Sequence, residues 1–200
     1  MRSLKGVLYN FFGQFIGLPV KIQRKTWEKE YRVGYWDRLR SKSELVRYLK
    51  ISEFVKRGNY NSILDVGCGE GLLLERIKGF YIKEYMGIDI STSAISVAKE
   101  RHKHFKTFNW KVSSAEEFLN WNSFELIIFN ESLYYISDYI NLLKHILKIN
   151  PTVNLLISLH NCRRTRKMVK ILKIHFPRIT TERISSSSLK WIFLTLTKQN

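Results

Sequence analysis

The residues of this chain best equipped for chemistry begin with Asp65-Val66-Gly67-Cys68-Gly69-Glu70-Gly71. An apolar run, Ile63-Leu64, leads into an acid. Three glycines follow at every second position, and Leu72 to Ile77 then has the pattern of a helix. A strand, a tight turn and a helix N-terminus make a ligand cradle, because backbone N–H groups and the positive end of the helix dipole face the ligand. The G-x-G-x-G spacing differs from the G-x-G-x-x-G of dinucleotide sites. Asp65 would also set a carboxylate where such a site holds a pyrophosphate, which suits a ligand carrying an ammonium group instead. Asp89 closes Tyr85-Met86-Gly87-Ile88-Asp89-Ile90-Ser91, 22 residues after Gly67. An acid about 20 residues beyond the glycine turn can hold a ribose diol. Asp89 is also placed to cap a helix starting near Ser91, and both roles can coexist.

In open α/β sheets, ligands sit beyond the carboxyl ends of the strands. The other such positions are Ser113-Ser114-Ala115-Glu116, Asn130-Glu131 and His160-Asn161. Ser113 or Ser114 is equally suited to capping a helix, with Glu116 or Glu117 in its first turn. Glu131 and His160 are the candidate bases. Tyr134 and Tyr135 offer an aromatic wall, with one of them equally suited to packing. His102, His104, His145 and His175 fall on predicted helices and read as structural, and no His/Asp/Glu cluster suggests a metal.

The stretch around Asp65 closely resembles the first motif of the class I S-adenosylmethionine-dependent methyltransferases. That cofactor carries an ammonium, a ribose and an adenine. The resemblance implies that Asp65, Gly67, Cys68, Gly69, Asp89, Ile90, Ser114, Ala115, Glu116 and Asn130 bind S-adenosylmethionine. In the family, the turn after the third strand often carries an acid that holds the adenine amino group. This chain has Ser114 there, so Ser114 or Glu116 would substitute, and the adenine contact stays open. Phe124 to Tyr135 is similar to the fourth motif of a subgroup that includes the nodulation N-methyltransferases acting on amino sugars, through Glu131, Leu133, Tyr134 and Tyr135. It lacks the Asn-Pro-Pro-Tyr tetrad of enzymes that methylate exocyclic base nitrogens or glutamine amides, which counts against DNA base methylation. The expected catalytic residues are therefore His160, Glu131, Tyr134 and Tyr135. Positioning an acceptor behind a sulfonium methyl can supply up to roughly 7–11 kcal/mol. A base adds roughly 10²–10⁴-fold for a hydroxyl acceptor and is needed less for an amine.

The chain has 200 residues and 44% apolar composition, enough for one compact α/β domain and too little for two. No apolar run reaches the roughly 20 residues of a membrane span. Two cysteines, Cys68 and Cys162, make no disulfide framework and fit a reducing compartment, so a cytoplasmic location is expected. The formal charge of +17 is uneven: net +9 over residues 1–60, −3 over 61–140 and +11 over 141–200. Such basic ends suit an acidic partner surface, such as anionic lipid, a phosphorylated glycan or nucleic acid, or they simply keep the chain soluble. Nucleic acid is the weaker partner, because no RNA-binding module is recognisable. Residues 1–18 space Leu4, Val7, Leu8, Phe11, Phe12, Phe15 and Ile16 as on a helix with a thin basic face. Such a helix packs on the domain or lies on a membrane surface, so peripheral association with the inner face of a membrane is open. A secretory signal fits less well, because Lys21, Arg24 and Lys25 follow at once.

Residues 22–57 read as helical with a break near Gly34. Trp27 to Tyr31 and Gly34 to Asp37 resemble the N-terminal cap that, in many small-molecule methyltransferases, folds over the cofactor and shapes the acceptor pocket. Ser41 to Arg57 fits an amphipathic helix with Leu45, Leu49, Phe54 and Val55 inward. Strands are expected at Ser62–Val66, Tyr85–Ile90, Thr107–Val112, Phe124–Asn130, Val153–Leu159, Ile179–Ile184 and Leu189–Thr197. Helices are expected at Glu70–Lys78, Ser91–His104, Ala115–Leu119, Ser137–Lys148 and Arg163–His175. The last sets Arg163, Arg166, Lys167 and Lys170 on one side and Met168, Ile171, Leu172 and His175 on the other, a basic face open to phosphates, anionic headgroups or solvent. This alternation predicts an α/β, Rossmann-like, seven-stranded mostly parallel sheet with an antiparallel last strand and helices on both faces. A helical cap at residues 1–58 would precede an S-adenosylmethionine-binding core at 59–200. The expected function is methyl transfer to a hydroxyl or amine of a small molecule, a sugar of a glycan or glycolipid. The alternatives are an RNA methyltransferase and a non-catalytic binding module on the same fold.

Overall fold

The computed structural model describes residues 20–187 and 189–197. The apolar segment 1–18 lies outside them. Helix α1 (Val20–Arg32) ends before Gly34, which turns at φ 67° into a 3-10 turn, Tyr35–Arg40. Helix α2 (Lys42–Gly58) follows. Strand and helix then alternate: β1 (Ser62–Val66), α3 (Leu74–Ile77), β2 (Glu84–Asp89), α4 (Thr92–Arg101), β3 (Phe108–Val112) and β4 (Leu126–Asn130). The chain continues through α5 (Tyr139–Ile149), β5 (Asn154–His160), α6 (Arg163–His175), β6 (Thr180–Ser185) and β7 (Lys190–Leu196).

The seven strands form one sheet in the order β3-β2-β1-β4-β5-β7-β6. β1 to β5 pair in parallel, and β7 inserts antiparallel between β5 and β6. β1, β4 and β5 are almost continuously apolar because helices cover both sheet faces. Alternate side chains then feed two cores. Leu64, Val66, Ile127 and Phe129 face α5 and α6, while Ile63, Leu126 and Ile128 face α2 and α3.

The structure departs from the sequence reading in four places. The helix expected at Glu70–Lys78 shrinks to Leu74–Ile77, because Gly69 and Gly71 sit at φ 55° and 73° and hold the chain out of helix. Residues 115–117 form a turn and 118–119 irregular chain rather than a helix. The buried stripe of α2 is Glu44, Arg47, Tyr48, Ile51 and Val55, whose spacing is helical, and Leu49 lies to its side, 53% exposed. On α6 the buried set is Thr165, Met168, Val169 and Leu172, and Ile171 is partly in solvent.

Candidate active site

The glycine turn is stapled to the end of β2. Gly67 N–H and Cys68 N–H both donate to the Ile88 carbonyl, at 2.8 and 3.0 Å. Gly69 N–H donates to Asp89 Oδ2 and Ser91 N–H to Asp89 Oδ1, each at 2.9 Å. Asp89 therefore ties the turn to the next helix and keeps lone pairs for further donors. Burial pushes its carboxyl up to about 6, with the Ser91 and Gly69 N–H groups pulling the other way. Gly67 adopts φ 73°, and a Cβ there would stand 2.5 Å from the Ser132 Cβ. Beneath the turn, the Trp110 indole fills the space that Gly71 and Gly87 leave: a Cβ on either would meet it at 2.6 Å. His102 stacks on Trp110 with its Nε2 3.0 Å from the Gly71 carbonyl, a structural role.

Above the turn lies a cleft of about 380 Å³, within the range of small-ligand pockets. Trp27 and Tyr31 of α1, Trp36 of the 3-10 turn, and Tyr135 wall it in. Trp27 meets Tyr135 edge-on at 4.6 Å and Trp36 at 5.1 Å, and the Tyr31 hydroxyl lies over Gly69. α1 is held there by Glu28, which accepts from Ser91 Oγ (2.9 Å), Ser93 N–H (3.2 Å) and Ser93 Oγ. A carboxylate at the N-terminus of α4 also meets the positive end of that helix dipole. Its hydrogen bonds hold the Glu28 carboxyl below its ordinary range, against a desolvation that raises it. Arg40 and Arg101 both pair with Glu70.

At the other end of the cleft, three elements meet around a buried guanidinium. Arg47 of α2, 1% exposed, donates from Nε and Nη2 to Glu44 Oε2 at 3.2 and 2.9 Å, and from Nη1 to Asn130 Oδ1. Asn130 Oδ1 also accepts from Ser158 Oγ of β5 at 2.9 Å. Glu131 follows at φ 59°, a left-handed backbone that turns its side chain toward the cleft wall. Tyr134 Oη donates to Glu131 Oε2 at 3.1 Å, and among the described residues Oε1 is buried without a partner. Burial pushes the Glu131 carboxyl up to about 7, with Arg47 and the Tyr134 hydroxyl opposing. His160 lines the same end, and partial burial lowers its imidazole. A carboxylate poised near neutrality, with one unengaged oxygen, has the properties of a general base.

The cleft gathers Gly67, Cys68, Gly69, Asp89, Ile90, Ser114, Ala115, Glu116, Asn130, Glu131, Tyr134, Tyr135 and His160. Asp65 lies below it, with Oδ2 accepting from the Tyr85 hydroxyl at 2.7 Å and Oδ1 unpartnered among the described residues. Burial raises its carboxyl to about 7. Ser114 and Glu117 bond reciprocally at 3.2 Å, Ser114 N–H to the carboxylate and Glu117 N–H to the hydroxyl. This is a capping arrangement without a helix, and it leaves Glu116 exposed at the rim. Sequence reasoning missed Arg47 and Glu44. Their only signal is that they share a helical stripe with Tyr48, Ile51 and Val55.

A family model described as a methyltransferase domain matches residues 35–195. The chain belongs to that family. The methyltransferase is a class I, S-adenosylmethionine-dependent member similar to the nodulation N-methyltransferases. It is 32% identical over 84 residues to nodulation protein S of Sinorhizobium fredii, a match covering 42% of this chain and 38% of that protein. It is 29% identical over 75 residues, 38% of this chain, to the mRNA cap guanine-N(7) methyltransferase of Saccharomyces cerevisiae. The methyltransferase spans only 17% of that relative's length. Among solved structures, the N-methyltransferase NodS of Bradyrhizobium japonicum WM9 in complex with S-adenosyl-L-homocysteine gives a TM-score of 0.71 at 19% identity, covering 88% of this chain and 98% of that one. The plantazolicin methyltransferase BpumL, also with S-adenosyl-L-homocysteine, gives 0.66 at 14% identity, covering 90% and 97%. These likenesses establish the fold. The residues present fit the family's cofactor, S-adenosylmethionine. The positive-φ turn leaves room for close approach, Asp89 keeps lone pairs, and Trp36 Nε1 is a buried donor without a hydrogen-bond partner among the described residues.

Proposed function

We propose that this chain transfers the methyl group of S-adenosylmethionine to a hydroxyl or amine of a small molecule, a sugar of a glycan or glycolipid. The observation that carries the reading is one cleft holding both the Asp89-anchored glycine turn and Glu131 with a buried, unengaged oxygen. When bound, S-adenosylmethionine supplies an electrophilic methyl on a sulfonium leaving group. The turn and Asp89 hold the nucleoside end. Trp27, Tyr31, Trp36 and Tyr135 exclude water from the reacting end. Glu131 takes the acceptor's proton at Oε1 while Tyr134 holds Oε2, and His160 is the second candidate base. Arg47 keeps Asn130 and Glu131 in register with α2. Cys68 and Cys162 are free thiols, in keeping with a reducing, cytoplasmic setting. The basic ends then face an anionic surface bearing the acceptor.

The test is transfer of labelled methyl from S-adenosylmethionine into a host extract split into lipid, polysaccharide, RNA, protein and small-molecule fractions. The expected label is in lipid, polysaccharide or small molecules. Label in RNA would overturn the acceptor class and favour chemistry closer to the cap methyltransferase that is 29% identical to this chain over 75 residues. Cofactor binding without label in any fraction would leave a binding module.

A further inference from the structure

Several basic residues outside the C-terminal part are matched to acids: Arg24 to Glu117, Arg40 and Arg101 to Glu70, Lys50 to Glu53 and Glu182. Helix α6 is built differently. Arg163, Arg166, Lys167, Lys170 and Lys173 are all exposed. Among the described residues none of them forms an ion pair, and Arg166 reaches only the Asn161 side-chain oxygen, at 3.1 Å. The one carboxylate side chain after residue 140, Glu182, is taken by Lys50 at 2.9 Å. No acid occupies the first turn of α6, where arginines oppose the helix dipole, so folding stability does not account for their placement.

Helical spacing puts Arg163, Lys167, Lys170 and Ile174 on one outward stripe, with Arg166, Ile171 and Lys173 flanking it. Ile174 is 74% exposed and Ile171 41%. An aliphatic residue set among unpaired cations is the pattern of a helix lying on an anionic bilayer. The cations hold the headgroups, and the apolar side chain enters the boundary with the acyl chains. Single-stranded RNA would ask instead for aromatic platforms, and α6 carries no Phe, Tyr or Trp. The helix begins at the mouth of the cleft, which Cys162, Arg164 and Thr165 line, and Arg164 Nη2 donates to the Tyr134 carbonyl at 2.9 Å. A surface held along α6 is therefore held beside the acceptor end.

We propose that the outward face of α6 docks this chain on an anionic lipid bilayer through Arg163, Lys167, Lys170 and Ile174. The inference stands whether or not the methyl acceptor is a glycan. The test is sedimentation of the full chain with vesicles of equimolar phosphatidylglycerol and phosphatidylcholine, against phosphatidylcholine alone. Binding is expected only to the anionic vesicles and should weaken with added salt. Lys167→Glu with Lys170→Glu is expected to lower the partition on the order of 25-fold or more, at about fivefold for each basic residue lost. Ile174→Ser should lower it about tenfold in a way that salt does not reproduce. Thermal melts equal to wild type establish that these exposed-site variants remain folded. Three results would overturn the proposal: no binding to anionic vesicles, wild-type binding by the α6 variants, or tighter binding to a single-stranded RNA oligonucleotide that the same variants abolish.

Discussion

Replacing Glu131 by Gln separates its charge from its shape. The amide keeps an oxygen for the Tyr134 hydroxyl, now 3.1 Å from Oε2, but cannot take a proton. In the folded chain the carboxyl sits near 7 rather than 4.5, mainly through burial, with Arg47, Tyr134 and Arg38 lowering it and Glu44 raising it. Between those two values the folded chain holds a proton that the unfolded chain has lost. Stability therefore falls as pH rises through that window, and above it the full cost is about 3 kcal/mol. Glu131→Gln removes that slope, so the variant's melting temperature should change less than wild type's across the window. Asp65 and Asp89, raised to about 7 and about 6, slope in the same direction and remain in both proteins. Catalysis moves the opposite way. A hydroxyl acceptor needs the ionised base, so wild-type turnover should rise with pH to a plateau above about 7, and the variant should lose that limb together with roughly 10²–10⁴-fold in rate. The assay is labelled-methyl transfer under saturating cofactor across the window, with thermal melts in the same buffers. A variant that keeps wild-type turnover and the same limb would refute the base assignment, and His160→Ala would then be the variant to measure.

Asp89→Ala should weaken S-adenosylmethionine binding in calorimetry by about 10–100-fold, as expected for hydrogen bonds to a charged group, and unchanged affinity would sink the cofactor-site assignment. Arg47→Met strands Glu44 in a 6% exposed position with only Arg38, 3.8 Å from Oε1, for company. Denaturant titration should show a loss of about 3–5 kcal/mol, most of it recovered when Glu44→Gln is added; equal losses in the single and double variants would mean the pair is not coupled. Gly67→Ala forces a side chain to φ 73° and against Ser132, while Gly79 has nothing within 4 Å of a Cβ. The first should cost on the order of 1–3 kcal/mol or more and Gly79→Ala close to nothing, and matching melts for the two would show that the turn tolerates a Cβ.

The sheet was legible because β1, β4 and β5 are buried on both faces and therefore read as nearly continuous apolar runs with Asp65, Asn130 and His160 at or next to their ends. The glycine spacing likewise exposed the turn. The length of the helix after it was not legible, since Leu72 to Ile77 looks helical throughout and only the φ angles at Gly69 and Gly71 delay its start. Arg47 and Glu44 were invisible for a physical reason. Charged residues on an amphipathic helix normally mark its solvent side, and here each neutralises the other's charge while Asn130 accepts from the Arg47 Nη1. Placing Leu45 and Leu49 inward rotated the whole stripe by about a quarter turn. For Asp65 the sequence showed the type and position of a ligand contact but not the Tyr85 hydroxyl, a strand away, that holds its Oδ2 and leaves Oδ1 without a partner among the described residues.

One indole under the glycine turn also constrains how this sequence can change over time. Trp110 reaches the vacant Cβ positions of both Gly71 and Gly87, with Cys68 Sγ 2.9 Å from the second. Any side chain at either glycine collides with the same rigid ring, so neither can be substituted while Trp110 stays. A smaller residue at position 110 comes first and leaves a void that a later methyl at 87 can fill once Cys68 Sγ gives way, whereas Gly71, at φ 73°, stays glycine on conformational grounds whatever the ring does. The order of replacement is thus fixed by volume at 87 and by backbone at 71: lineages that keep the indole keep both glycines, and lineages that lose it gain freedom at 87 alone.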